Sequence, residues 1–355
     1  MRRGPSRFAP LCRPRVRGAA LSAELAALVL GCEGTALTAV ERDFFRDTNP
    51  LGFILFRRNV DSPDQVRALV DSLRDAVGRH APILIDQEGG RVARLRGPHW
   101  PELPAARAVG DLADAEKAGQ AAWLHGRLLA AMLSDLSIDV DCAPVADVPV
   151  PGAHDVIGDR AFAMDPVRVA ALAASQAAGL LAGGVLPIVK HIPGHGRAFA
   201  DSHKELPVVS TPRAELEAWD FAPFKALSHL PAAMVAHVVY TDIDADRPSS
   251  ISPTVIRDIV RGHIGFDGLL FSDDLSMQAL SGTLGQRTAA VLAAGCDVAL
   301  HCNGQMAEML DVAANARALD AAGMRRWSAA SALVAAAPPT DINALRAEFD
   351  RLLVG

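Results

Sequence analysis

Residues 184–203 read GVLPIVKHIPGHGRAFADSH, and this stretch indicates how the chain folds. It begins with a short apolar run that ends in Lys190 and His191, a pattern typical of a buried strand. The proline and two glycines that follow prevent a helix, so the polar groups after the strand are expected to lie in a loop. Loops held by a rigid scaffold are where binding and catalytic groups tend to lie.

Seven further apolar runs complete a regular series along the chain. The eight runs are AALVLGC (26–32), LGFILF (51–56), APILID (81–86), SIDVDCA (137–143), GVLPIVKH (184–191), AAMVAH (232–237), GLLFSD (268–273) and CDVALH (296–301). Most intervals between them have helical periodicity, as at 63–78 and 166–181. Apolar strands that alternate with helices predict an α/β protein with a parallel sheet.

Eight such units indicate a closed (β/α)8 barrel of the TIM type, and 355 residues suit that fold as a single domain. The barrel domain is expected to span residues 21–355. A doubly wound sheet is the alternative, but no GxGxxG or Walker-type loop follows the first run.

A barrel would gather the polar ends of its strands at one rim, where the active sites of this fold lie. So many convergent groups favour a functional site over ordinary capping of strand ends. The predicted rim residues are Asp86, Lys190, His191, His237, Asp273 and His301, with Asp201 and His203 from the loop. His237 and His301 could instead simply be hydrogen-bonded at the top of the barrel.

Charge argues against some partners. The chain has 35 basic and 41 acidic residues, a formal charge of −6. Six of the basic residues are arginines within the first 17 positions, so the remainder carries 29 against 41, or −12. An acidic body disfavours nucleic acid or an anionic membrane as a partner. Residues 1–20 are expected to be a disordered Arg-rich arm or an overlong start, with a secretory signal that ends before Cys32 as the alternative.

Cysteine usage suggests a reducing compartment. The five cysteines are odd in number, and their spacing matches neither a zinc knuckle nor a CxxC redox pair. Free thiols are therefore expected, as in the cytoplasm.

The run FSDDLSM (271–277) places two carboxylates at the end of an apolar strand. An ionised Asp there can attack an electrophilic carbon or stabilise a cationic transition state. The alternative is that Asp273 or Asp274 caps a helix by accepting backbone N–H groups, and both roles can hold with one Asp in each.

Asp201 and His203 stand two residues apart, so the acid could orient the imidazole or favour its protonated form. A paired Asp and His at the surface is the simpler interpretation. A zinc site built from His191, His195 and His203 is disfavoured, because HExxH chemistry needs a helix and a glutamate. No metal or other cofactor is expected.

Four motifs in order resemble those of glycoside hydrolase family 3. They are IDQEGGRVARL (85–95), DVIGDRAF (155–162), KHIPGHG with DSH (190–196 and 201–203) and FSDDLSM (271–277). Within the family the chain is most similar to the single-domain β-N-acetylglucosaminidases of bacterial cell-wall recycling. The likeness runs from about residue 26 to about residue 335. The chain departs from the pattern at Ile192, where Phe is more usual, and in the Arg-rich arm.

The resemblance implies a role for each matching residue. Asp273 would be the nucleophile, His203 the general acid/base, and Asp201 its partner in a dyad. The residues implied to bind the sugar are Asp86, Arg94, Arg160, Lys190 and His191.

The implied activity is retaining hydrolysis of terminal β-linked GlcNAc from soluble muropeptides by a cytoplasmic monomer. No second α/β domain is expected after the barrel. A histidine donor would not repel an anionic acceptor, so phosphorolysis stays open, as does a β-glucosidase on the same barrel. The alternative without catalysis is a silent sugar-binding protein. Intact Asp201, His203 and Asp273 weigh against the silent protein.

Overall fold

Each of the eight predicted apolar runs forms a strand of one parallel sheet. The computed structural model describes residues 24–198, 205–334 and 340–354. The strands are β1 (Ala26–Leu30), β2 (Pro50–Leu55), β3 (Ile83–Ile85), β4 (Val140–Asp141), β5 (Leu186–Pro187 and Val189–Ile192), β6 (Ala232–Val235), β7 (Leu269–Asp274) and β8 (Val298–His301). The Arg-rich arm, Cys12, Asp201 and His203 lie outside the described residues.

The sheet closes into a barrel. Every strand pairs in parallel with its neighbour in the chain, and β1 pairs with β8. The two pieces of β5 complete the ring, because the first pairs with β4 and the second with β6. The predicted (β/α)8 barrel is therefore confirmed, and the open doubly wound alternative is excluded.

Helices fill the intervals between strands. They are α1 (Ala39–Thr48), α2 (Pro63–Val77), α3 (Ala106–Gly110), α4 (Ala115–Ser134), α5 (Pro166–Ala182), α6 (Arg213–Ala218), α7 (Ala222–Ala226), a π-type helix (Val255–His263), α8 (Leu284–Ala294), α9 (Met306–Ala314), α10 (Ala321–Ser331) and α11 (Ile342–Val354). Local sequence sets their starts: Ser62 accepts a hydrogen bond from Gln65 N at the start of α2, with Pro63 in the first turn.

The core lies inside the barrel and between strands and helices. All six residues of β2 are buried, as are all four of β6 and all four of β8. Strands covered on both faces require such continuous apolar runs, which is why the runs were visible in the sequence. The predicted strand-end residues consequently meet at the carboxyl rim.

The four cysteines of the described residues, Cys32, Cys142, Cys296 and Cys302, are unpaired and buried. Burial raises the pKa of the Cys32 and Cys296 thiols to about 12, so both are protonated. No helix within the described ranges has the length and apolar character needed to cross a membrane.

Helices α4 and α5 approach each other closely at two glycines. A Cβ at Gly126 would lie 2.2 Å from the carbonyl oxygen of Gln176, and one at Gly179 would lie 2.1 Å from that of Trp123. These contacts are with backbone, which cannot move aside as a flexible side chain can. The two glycines therefore set the distance between the helices.

We expect Gly179→Ala to lower the free energy of unfolding by about 1–3 kcal/mol, the usual cost of overpacking. The matched control is Gly119→Ala in α4, where the nearest atom would lie 3.9 Å from the new Cβ. That variant should be more stable by about 0.4–1 kcal/mol, since alanine restricts the unfolded chain. Urea unfolding of both variants measures the difference, and equal stabilities would contradict the close-packing argument.

Candidate active site

A cavity of about 250 Å³ opens at the carboxyl rim of the barrel. Its lining includes six of the predicted site residues: Asp86, Arg94, Arg160, Lys190, His191 and Asp273. They follow or end strands β3, β5 and β7 or lie in the loops after β3 and β4. The structure thus brings together, in one cavity, residues that are up to 187 positions apart in the sequence.

The Lys190 ammonium lies at the centre of this cluster. The side chain is only 2% exposed, and Nζ lies 2.8 Å from Asp86 Oδ1 and 2.6 Å from Glu88 Oε1. Burial alone would lower the pKa of Lys190, but the charges of Asp86 and Glu88 raise it above its ordinary value. Lys190 is therefore a permanent cation with two anionic partners.

Asp86 is held between two cations. Arg94 Nη2 donates to Asp86 Oδ2 at 3.0 Å, on the other oxygen from Lys190. Although burial would raise the pKa of Asp86, Lys190 and Arg94 lower it below the usual range. The ionised carboxylate is 15% exposed, so it can accept hydrogen bonds from the hydroxyls of a bound ligand.

Arg160 and Glu88 form a bidentate ion pair. Arg160 Nε and Nη2 each donate to a Glu88 oxygen at 2.8 Å. Burial opposes ionisation of Glu88, but Arg160 and Lys190 lower its pKa to about 2. The planar pairing fixes the Arg160 guanidinium at the edge of the cavity.

His191 is fixed by Asp147. Its Nδ1 lies 2.7 Å from Asp147 Oδ2, and its backbone N–H donates to Asp147 Oδ1 at 3.2 Å. The ring packs edge to face with that of His195, with 5.7 Å between centroids. Burial and the nearby His191 lower the pKa of His195 to about 4, so His195 is neutral near pH 7.

The two acids of FSDDLSM have different environments. Asp274 Oδ1 accepts from the N–H groups of Ser276 and Cys302, each at 3.1 Å, and so ties β7 to the end of β8. Asp273 lines the cavity, and the N–H of Asp274 donates to its Oδ1 at 2.8 Å. The helix-cap alternative is wrong, because α8 begins later and is capped by Thr283.

His237 and His301 are at the rim but do not line this cavity. His237 Nδ1 lies 2.6 Å from Ser250 Oγ, and Nε2 lies 3.1 Å from the carbonyl oxygen of Asp274. Burial lowers the pKa of His237, so the ring is neutral and supports the turn after β7. His301 Nε2 lies 3.3 Å from Glu308. Neither ring nitrogen of His301 makes a hydrogen bond within the described residues. The expectation of a hydrogen-bonded histidine at the top of the barrel is therefore confirmed for His237 and wrong for His301.

The sequence matches the glycosyl hydrolase family 3 N-terminal domain over residues 22–337. The chain belongs to this family. It is 42% identical over 287 residues to a β-hexosaminidase of Alkalilimnicola ehrlichii, covering 79% of this chain and 81% of that protein. It is 40% identical over 290 residues to a β-hexosaminidase of Pseudomonas aeruginosa, covering 81% and 85%.

A solved relative is similar in fold as well. NagZ from Neisseria gonorrhoeae, in complex with N-trifluoroacetyl-D-glucosamine, superimposes with a TM-score of 0.82 at 32% identity, covering 93% of this chain and 98% of that one. The predicted family is confirmed. The prediction of a glycoside hydrolase of the β-N-acetylhexosaminidase type is confirmed with it.

Two site residues of this family 3 hydrolase were missed in the sequence. Glu88 stands two positions after Asp86, and side chains two residues apart in an extended segment point to the same side. This spacing could have placed Glu88 beside Asp86 in the site. Asp147 lies 44 residues from His191, and no motif in the sequence around Asp147 links the two residues. Within the described ranges, no group of three or more His, Cys, Asp or Glu side chains is arranged to hold a metal ion.

We expect Glu88→Gln to lower the free energy of unfolding by about 3 kcal/mol. The change removes the buried counter-charge of Arg160 and one of the two carboxylates that compensate Lys190. Asp43→Asn is the control. Asp43 is 65% exposed and pairs with Arg46 on the surface, so its loss should cost less than about 0.5 kcal/mol. Urea unfolding near pH 7 compares the two, and a small effect of Glu88→Gln would contradict the buried charge cluster.

Proposed function

We propose that this chain is a retaining exo-β-N-acetylglucosaminidase that removes terminal β-linked GlcNAc from muropeptides of the GlcNAc-1,6-anhydro-MurNAc type. One observation carries the proposal. Asp273 lines a cavity that also holds the ion-paired cluster of Lys190, Asp86, Glu88, Arg94 and Arg160. Such a cavity can hold a polyhydroxylated ring beside a carboxylate.

The barrel sets the direction of attack. β3 and β7 are four places apart in a ring of eight strands, so Asp86 and Asp273 approach the cavity from opposite sides. A sugar held by Asp86 at its far hydroxyls would present its anomeric carbon to Asp273. The N–H of Asp274 orients the attacking carboxylate through Oδ1.

The proposed reaction has two steps. In the first, a carboxylate oxygen of Asp273 bonds to the anomeric carbon while the glycosidic C–O bond breaks, and His203 gives its proton to the leaving oxygen. In the second, His203 removes a proton from water, which displaces Asp273 and restores the original configuration. Asp201 would hold His203 for both transfers. Both residues lie outside the described ranges, so these roles rest on the family motif.

The sugar-binding roles follow from donor and acceptor chemistry. Asp86 can accept two adjacent hydroxyl protons, whereas Lys190, Arg94 and Arg160 can only donate, to ring hydroxyls or to the acetamido carbonyl. His191 offers its ring from the end of β5. Because each charge already has a partner in the described structure, the cluster is organised before a sugar binds.

Cavity size supports exo action. About 250 Å³ is below the roughly 300–1,000 Å³ of sites for drug-sized ligands, which suits one sugar ring with the rest of the substrate outside. The complex of the Neisseria gonorrhoeae relative with an N-acylated glucosamine supports GlcNAc as that ring. Four buried free thiols support a reducing compartment, and we propose a cytoplasmic site of action.

We expect hydrolysis of p-nitrophenyl β-GlcNAc without added metal, and a fall in kcat on the order of 10³ or more for Asp273→Ala. Asp258→Ala is the control, because the Asp258 carboxylate is 43% exposed on the π-type helix outside the barrel. The kcat of this variant should be unchanged. Undiminished turnover by Asp273→Ala would exclude the proposed nucleophile. An inactive wild-type protein that still binds GlcNAc would instead indicate a silent sugar-binding protein.

We expect a 2-deoxy-2-fluoro or 5-fluoro glycoside to label Asp273, because fluorine slows the second step and allows the covalent intermediate to accumulate. Peptide mass mapping locates the label, and a label on another residue would contradict the mechanism. The same protein with GlcNAc-1,6-anhydro-MurNAc peptide should release free GlcNAc. GlcNAc 1-phosphate as the main product in phosphate buffer would identify a phosphorolytic enzyme.

A further inference from the structure

Asp147 is a buried carboxylate for which the proposed reaction has no direct use. It lies after β4 and is completely buried, so it cannot touch a ligand in the cavity. A buried charge is costly unless hydrogen bonds compensate it. The partners of Asp147 therefore indicate what it does.

Three hydrogen bonds converge on this carboxylate. Oδ1 lies 3.2 Å from the backbone nitrogen of His191 and 2.7 Å from that of His195. Oδ2 lies 2.7 Å from Nδ1 of the His191 ring. Burial would raise the pKa of Asp147, but His191 and the other hydrogen bonds lower it, so the group is an anion that only accepts.

An acceptor at this position decides where the His191 proton lies. Nδ1 must carry a proton to donate to Asp147, whether the ring is neutral or charged. The other ring nitrogen, Nε2, is then the one left for a ligand, and His191 lines the cavity. The same carboxylate holds the backbone at both ends of residues 191–195.

We infer that Asp147 is a positioning residue that fixes the proton on Nδ1 of His191 and presents Nε2 to the sugar. The inference deepens the proposed function, since His191 is there a sugar-binding residue. Asp147 acts through His191 and the anchored backbone of residues 191–195. It does not contact the substrate itself.

Asp147→Asn tests this with almost no change in shape. The two backbone N–H groups need an acceptor, so the amide oxygen should take the place of Oδ1. The amide NH2 then faces Nδ1 of His191 and, as a donor, requires a bare nitrogen there. We expect the proton of His191 to move to Nε2.

Nitrogen-15 NMR of histidine-labelled protein measures this, with His191→Ala to assign the signal. At about pH 8.5, where an ordinary imidazole is neutral, wild-type Nδ1 should have the shift of a protonated nitrogen. In Asp147→Asn, Nδ1 should have the shift of an unprotonated nitrogen. A bare Nδ1 in the wild-type protein overturns the inference, even if the variant does not fold.

Kinetics supply the second measurement. With p-nitrophenyl β-GlcNAc, Asp147→Asn should lower kcat/KM by about 10- to 100-fold, the scale expected when a binding group is misplaced. In the His191→Ala background the same change should cost less than about threefold, since the group it positions is gone. Equal losses in both backgrounds would overturn the inference.

Asp297→Asn is the matched control. Asp297 is also buried, accepts from the N–H of Leu270 at 2.9 Å and pairs with Arg261 and Arg326. It directly precedes β8, so it lies at the opposite end of the barrel from the cavity. Asp297→Asn should lower the free energy of unfolding. At a temperature where the variant is folded, its kcat/KM should stay within about twofold of the wild-type value.

The two proposals fail separately. If the wild-type protein hydrolyses no β-GlcNAc glycoside, the proposed function fails, and the NMR signals of His191 still decide the role of Asp147. If it hydrolyses the glycoside and Asp147→Asn keeps both full kcat/KM and a protonated Nδ1, only the inference about Asp147 is overturned.

Discussion

The buried ammonium of Lys190 is the constraint on which the site depends. Removing such a charge from water costs several kcal/mol unless anions and hydrogen bonds compensate it. Asp86 and Glu88 do so, and each is in turn held by an arginine, Arg94 or Arg160. The residues come from β5, from the loop after β3 and from the loop after β4. Because no member can move without leaving another charge unmatched, the cluster is a rigid floor for the cavity.

Barrel closure makes this cluster possible. The carboxyl ends of eight parallel strands converge, so residues far apart in the chain meet without any long excursion of the backbone. In an open sheet β3 and β7 would be four strands apart, on the order of 19 Å at the usual strand spacing. Closure places Asp86 and Asp273 on opposite sides of one small cavity instead. The fold thus determines which side chains can act on the same ring.

The sequence predicted the scaffold better than the site. Continuous apolar runs mark strands buried on both faces, so all eight strands and the helices at 63–78 and 166–181 could be located. Strand ends also marked Asp86, Lys190 and Asp273. Partners such as Asp147 could not be found, because only the closed barrel brings them near the groups they hold.

The FSDDLSM run was ambiguous, since an Asp after a strand can equally cap a helix. The pair Thr283 and Gln286, a capping box, was the signal that the helix begins later.

Glu88 and Asp147 solve the same problem in two different ways. Each is a buried carboxylate that holds a side chain at the end of β5, Lys190 in one case and His191 in the other. Glu88 compensates the permanent positive charge of Lys190. Asp86 is therefore not the sole counter-ion of Lys190 and can also accept hydrogen bonds from hydroxyls. Asp147 meets a ring that can carry its proton on either nitrogen, so it sets which atom faces the cavity. A site that binds a neutral, hydroxyl-rich ring needs both the charge balance and the fixed proton position. Charged groups alone do not select one hydroxyl over another, so the hydrogen-bond donors and acceptors must also be held in fixed directions.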